Sequence, residues 1–138
     1  MISLDLPVEV AEPRTGMAQA VFNELADQLQ ALAERGARHV IDLTSLPMTS
    51  TDRQELADML GQGEVRITLS TIGDSQIYET AYSGIWWIKH YSADQKLLSE
   101  LIEVTALPEI IASQSEDIQQ SAEAIKKIIH GDEKGDQV

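Results

Sequence analysis

Between residues 15 and 35, Val21, Phe22, Leu25, Leu29 and Leu32 recur at three- and four-residue steps, which makes one apolar stripe on a helix. Thr15 or Gly16 can open this helix, and Gly36 can take the left-handed position that ends it. A short strand follows over Val40-Ile41-Asp42-Leu43, and Ser45-Leu46-Pro47 breaks it. Thr51, with Gln54 at the capping-box position, predicts a second helix whose apolar face is Leu56, Met59 and Leu60. Gly61 and Gly63 stop it.

The period then changes. Val65-Arg66-Ile67-Thr68-Leu69 alternates in the manner of a strand with one buried face. Gly73-Asp74-Ser75 reads as a turn, residues 77–82 as a second strand and Ser83-Gly84 as a bulge or tight link. Residues 85–91 and 97–104 form two further strands, separated by a turn at 92–95. Connections this short cannot make parallel crossovers, so the strands should form an antiparallel meander. Pro108 suits the first residue of a short helix. Ser115 can cap a longer one with Ile118, Ala122, Ile125 and Ile129 on one face, and Gly131 can close it. Glu116 and Asp117 at one end, and Lys126, Lys127 and His130 at the other, suit the helix dipole.

This pattern predicts an α+β fold: an antiparallel sheet of four or more strands packed against N- and C-terminal helices, around Phe22, Leu25 and Ile125. Residues 1–14, with Pro7 and Pro13, are expected to form an extended arm, with a short alternating stretch at 2–6. Residues 15–131 are expected to form a single domain, and 132–138 a disordered acidic tail. At 138 residues the chain suits one domain with a real core.

Charge narrows the function. The formal net charge is −13, which disfavours nucleic acid and anionic membranes and either serves solubility alone or favours a basic protein partner. The first ten residues carry Asp5 and Glu9 and no basic segment, so they do not read as a secretory signal, and the cytoplasm is the expected location. The chain has no cysteine, which removes thiolate metal sites, cysteine-ligated clusters and cysteine nucleophiles. His39, His90 and His130 fall in separate elements without metal-ligand spacing. Gly61-Gln62-Gly63 lacks the third glycine, the following Lys-Ser/Thr and the helix that a phosphate loop needs. Ser83 lacks the flanking glycines of a hydrolase elbow. No metal or organic cofactor is therefore expected.

Two constellations remain. Glu79 and Glu103 interrupt apolar sheet segments. They form an acid/base pair if they face each other, and otherwise belong to a solvated face or to salt bridges with Arg66 or Lys89. Trp86 and Trp87 are adjacent in one strand and must point to opposite faces. One is expected in the core. The other is expected either outward, as an interface anchor, or beneath the C-terminal helix. Tyr78 and Tyr82, on one face of the neighbouring strand, extend the aromatic patch.

Gly61-Gln62-Gly63-Glu64-Val65, then Glu79-Thr80, Gly84-Ile85-Trp86-Trp87, and Ile102-Glu103-Val104 ahead of Pro108, form an ordered series. It resembles the C-terminal region of the HupH/HyaF-type hydrogenase expression/formation proteins. The helix over 21–32 and the Ile41-Asp42-Leu43 and Leu46-Pro47 segments fit the same resemblance. It implies an accessory protein without a cofactor that assists maturation of nickel–iron hydrogenases as a chaperone for the small, iron–sulfur-carrying subunit before export. The chain lacks the N-terminal region of the longer members, and the readings open are a free-standing domain, a paralogue or a truncated piece. An acidic chaperone suits a client whose export signal carries arginine.

The reading preferred on these grounds is a protein-binding accessory factor and not an enzyme, with Glu79, Tyr82, Trp86, Trp87 and Glu103 as partner-binding residues. Its client is the hydrogenase small subunit or its export signal. The alternatives are an oligomerisation or structural module that pairs through a sheet edge or a tryptophan, giving a homo-oligomer, and an enzyme built on Glu79 and Glu103.

Overall fold

The structure is a computed structural model that describes residues 12–135. The alternating stretch at 2–6, most of the expected arm and the last three residues lie outside the described residues. By compactness the chain divides between Ala106 and Leu107 into two units.

The first unit holds two helices and a five-stranded sheet. Helix α1 (Met17–Arg35) follows from the apolar stripe, with Val21 and Leu25 buried. Gly36 ends it at φ 67°, and its N–H donates to the Leu32 carbonyl while that of Ala37 reaches Ala31. These paired bonds satisfy carbonyls that the helix end leaves open. Strand β1 (His39–Asp42) leads through a short 3-10 turn into α2 (Ser50–Leu60).

The start of α2 differs from the expected Thr51 cap with Gln54. The cap is Thr49, and Asp52 completes the capping box. Asp52 is fully buried. Its carboxylate accepts from the Thr49 N–H at 3.1 Å, the Thr15 N–H at 2.8 Å and the Thr15 hydroxyl at 2.5 Å. One side chain thus joins the starts of both helices. The Thr15 hydroxyl is the main reason that the carboxyl is held down at about 2, with the amides of Thr15 and Thr49 adding to it against the cost of burial.

The sheet contains β2 (Arg66–Ser70), β3 (Asp74–Glu79), β4 (Ile85–Tyr91) and β5 (Leu97–Val104). Its order is β1-β5-β4-β3-β2, and every neighbouring pair is antiparallel. The expected meander is therefore present, and β1 extends it by pairing with β5. The first turn lies earlier than expected. Ser70 pairs with Asp74, so Thr71-Ile72-Gly73 forms the loop, and Asp74 and Ser75 already belong to β3. A Cβ on Gly73 would stand 1.9 Å from the Tyr91 carbonyl oxygen, so only glycine fits there. The second strand also ends earlier, at Glu79, and leaves Tyr82 in the turn before β4. Gly63 approaches the chain just after β3: its N–H donates to the Glu79 carbonyl, and a Cβ would lie 2.6 Å from the Thr80 oxygen.

Side chains alternate between the two faces of the sheet. One face carries Ile41, Ile85, Trp87, Ile102 and Val104, which join Ala18, Val21, Leu25, Leu56 and Leu60 of the helices in the main core. Phe22, Leu29 and Leu32 pack against that core. Ile77, Trp86 and Ile88 lie on the other face and are also buried. Each fully buried side chain of this size contributes roughly 1.5–3 kcal/mol relative to exposure.

In the second unit Pro108 precedes a 3-10 turn (Glu109–Ile111), and helix α3 runs from Ser115 to Gly135. Glu116 and Asp117 occupy its first turn. The helix continues past Gly131, the glycine expected to close it. Ile125, expected among the packed residues, is 59 % exposed, and Ile118, Ile128 and Ile129 are exposed with it. The fold is α+β, a five-stranded antiparallel sheet preceded and followed by helices.

Candidate functional site

The register places the expected site residues. In β4, Trp86 stands opposite Glu79 on one side and Glu103 on the other. The three residues therefore form a row across one face, in the order Glu79, Trp86, Glu103. Strands lie about 4.8 Å apart, so the two carboxylate-bearing positions are separated by about twice that distance, with an indole between them. They do not form a facing pair. Glu103 makes an ion pair with Arg38, at 3.6 Å.

Trp86 and Trp87 point to opposite faces, as the pleat requires, but both are buried, with exposures of 3 % and 2 %. Over the first half of β4, residues 85–88, both faces are buried. The Trp86 indole N–H donates to the Thr105 carbonyl at 3.1 Å. Tyr82 is the accessible aromatic of the set: it is 46 % exposed, and its ring meets Phe22 edge-on with centroids 6.1 Å apart. Glu79 is half-buried. Tyr78 does not extend a surface patch with Tyr82, because it stacks on Trp87 at 6.1 Å with an interplanar angle of 9°.

A second cluster lies on the α2-facing side of the sheet. The Trp87 indole N–H donates to Glu100 Oε2 at 2.7 Å. Glu100 is buried, and Lys89, its cross-strand partner, places its amine 3.9 Å from the same oxygen. Arg53 of α2 brings Nε within 3.6 Å of Oε1. Tyr78 completes the wall. Its hydroxyl is pushed up to about 12, first by burial and then by the Glu100 charge, with Arg66 opposing. These groups border a cleft of about 270 Å³ that also reaches Ser50 and Leu97. Sequence reading passed over Glu100 in favour of Glu103. The signal was present: Ile102 and Val104 face inward, and strict alternation puts Glu100 on that same face.

Ser75 and His90 also face each other across β3 and β4, with the hydroxyl 2.7 Å from Nδ1. Among the described residues no carboxylate meets the other ring nitrogen, so the pair lacks the orienting group of a nucleophile triad. No group of three His, Cys, Asp or Glu residues that could hold a metal ion occurs among the described residues. No helix among them is long and apolar enough to cross a membrane.

Comparison with known proteins brings the row on β3, β4 and β5 into a family context. Residues 16–131 match the family described as HupH hydrogenase expression protein, C-terminal conserved region. The hydrogenase expression/formation protein HoxQ of Azotobacter vinelandii is 34% identical over 113 residues, which is 80% of this chain and 40% of that protein. HupH of Rhodobacter capsulatus is 37% identical over 112 residues, 81% of this chain and 40% of that one. The chain thus spans about 40% of the length of these curated relatives. The solved structure of the hydrogenase expression protein HupH from Thiobacillus denitrificans superposes with a TM-score of 0.81 at 36% identity, covering 86% of this chain and 99% of that one. The match over residues 16–131 and these identities lead to one conclusion: the chain belongs to the HupH family of hydrogenase expression/formation accessory proteins, of which it carries the C-terminal conserved region.

Proposed function

We propose that this chain is a protein-binding accessory factor in the maturation of a nickel–iron hydrogenase, acting as a chaperone of the small, iron–sulfur-carrying subunit before its export. The observation that carries the reading is the family match across residues 16–131. The net charge of −13 supports it, since an acidic chain attracts a client segment rich in arginine. The reading places the factor in the cytoplasm, gives it no cofactor and assigns it no catalytic step.

Within this reading the client contacts the end of the sheet marked by Glu79, Tyr82, Trp86, Trp87 and Glu103. The exposed ring of Tyr82 and the half-buried Glu79 are the groups that touch it. The tryptophans act from beneath, by fixing β4 on both faces. An exposed tyrosine held against Phe22 is a low-entropy anchor of the kind that interfaces use.

The test is a host strain that lacks the gene. It should accumulate unprocessed small subunit while the large subunit matures normally, and a copy carrying Tyr82→Ala should restore processing poorly. Normal small-subunit processing in the deletion strain would refute the assignment.

A further inference from the structure

The cleft beside Glu100 is separate from Tyr82 and Glu79, the groups assigned to touch the client; of the client-end residues, the buried Trp87 alone also lines it. The cleft lies on the α2-facing side of the sheet, whereas Glu79, Trp86 and Glu103 share the other side. We infer that this cleft is a binding site for a carboxylate group, held by Lys89 and Arg53 over the stacked rings of Tyr78 and Trp87.

The charge balance selects the ligand. Arg53 and Lys89 bring two positive charges to the cleft, and Glu100 supplies one negative charge. Among the lining residues one positive charge is left over, and Arg66 beside Tyr78 adds to the positive side, in a chain whose net charge is −13. A carboxylate is drawn to that excess, and a cationic side chain meets like charges. Unbalanced charge in a partly buried site is costly, so the balance acts as a filter.

Hydrogen-bonding capacity points the same way. Both cations lie beyond hydrogen-bond length from Glu100, at 3.6 and 3.9 Å. Arg53 uses Nη1 on the Met48 carbonyl at 3.3 Å. Among the described residues the Lys89 amine and the Tyr78 hydroxyl have no hydrogen-bond partner. The cleft therefore offers two donors to an acceptor that enters it. Glu100 itself is held in place by the Trp87 indole, so it acts as a fixed counter-charge that keeps both cations at the cleft. The volume of about 270 Å³ admits a carboxylate and the residue or short chain that bears it.

The ligand chemistry is shared by the C-terminus of a polypeptide and by a small free carboxylate, and the inference stands whichever hydrogenase subunit is the client. The test is a nitrogen–proton NMR titration of the intact chain that follows the Trp87 indole N–H. The Trp86 indole, bonded to Thr105, serves as the internal reference. The probes are N-acetyl-trialanine with a free carboxylate, the same peptide amidated, acetate, inorganic phosphate and acetyl-arginine amide. The free acid should shift the Trp87 signal saturably in the millimolar range, and the amide should not. Lys89→Met should weaken the acid by about tenfold, and Lys89→Arg should recover most of it. Acetate binding as well as the peptide assigns the site to small carboxylates; peptide binding alone assigns it to a polypeptide terminus. Equal effects of acid and amide, tighter binding of phosphate or of the arginine probe, or no saturable shift overturns the proposal. If Lys89→Met fails to fold, the acid and amide pair on the unaltered chain still decides.

Discussion

The indole N–H of Trp87 bonds to the carboxylate of Glu100 at 2.7 Å, between the central strand and its neighbour on the helix-covered face of the sheet. Both residues are buried. A hydrogen bond to a charged group in such a place contributes about 1.5–3 kcal/mol, and leaving one partner unsatisfied costs a similar amount. A double-mutant cycle of Trp87→Phe and Glu100→Gln should therefore show a coupling of about 1.5–3 kcal/mol in urea melts. Additive effects would mean that the contact is incidental.

Both tryptophans are core residues. Trp86→Ala and Trp87→Ala should each destabilise the fold by about 3–5 kcal/mol, the cost of truncating a large buried aromatic. Thermal or chemical unfolding of the two variants checks this. A Trp86 variant that melts like the parent chain would contradict its burial on the second face of the sheet.

Acid should loosen the junction of the two N-terminal helices through Asp52. Its carboxyl is held at about 2, below the ordinary 3.8, so the folded state binds its proton less readily than the unfolded chain does. The stabilisation is complete above about pH 4 and is lost as pH falls towards about 2. Asp52→Asn should be less stable at neutral pH and should flatten the acid limb of the stability curve. An unchanged acid limb in this variant would assign the effect to other carboxylates.

Alkali acts in the opposite direction through Tyr78. Its hydroxyl is raised from 10.0 to about 12, so the folded chain resists ionisation that the unfolded chain accepts. Stability from this group is present below about pH 10 and is lost as pH rises towards about 12. In a phenolate absorbance titration, one of the three tyrosines should ionise late, and Tyr78→Phe should remove that step. A late step that persists in Tyr78→Phe would belong to another tyrosine.

The sheet was legible because its signals are local. Alternation in β2 and turns too short for crossovers dictated antiparallel pairing, and Gly36 marked the end of α1. The α2 cap is the local pair Thr49 and Asp52, passed over for Thr51 with Gln54, and the bonds that Thr15 adds to Asp52 from 37 positions away carry no local signal. Other errors arose where a distant residue decides. The loop at 71–73 is set by the cross-strand pairing of Ser70 with Asp74. For the site, the pleat placed Trp86 and Trp87 on opposite faces, but their burial depends on what covers each face, which no single strand encodes. Glu79 and Glu103 stood out because each interrupts an apolar sheet segment, and only the register shows the indole between them. Arg53 and Glu100 come together from different elements, and nothing in their spacing announces the cleft.

Binding of the purified chain to the isolated hydrogenase small-subunit precursor, measured by titration calorimetry beside the large subunit, tests the central claim most directly. The account predicts saturable binding to the small-subunit precursor, weakened about tenfold or more in Tyr82→Ala as at an interface hot spot, and no binding to the large subunit. Equal binding to both subunits, or none to the small-subunit precursor, would contradict it.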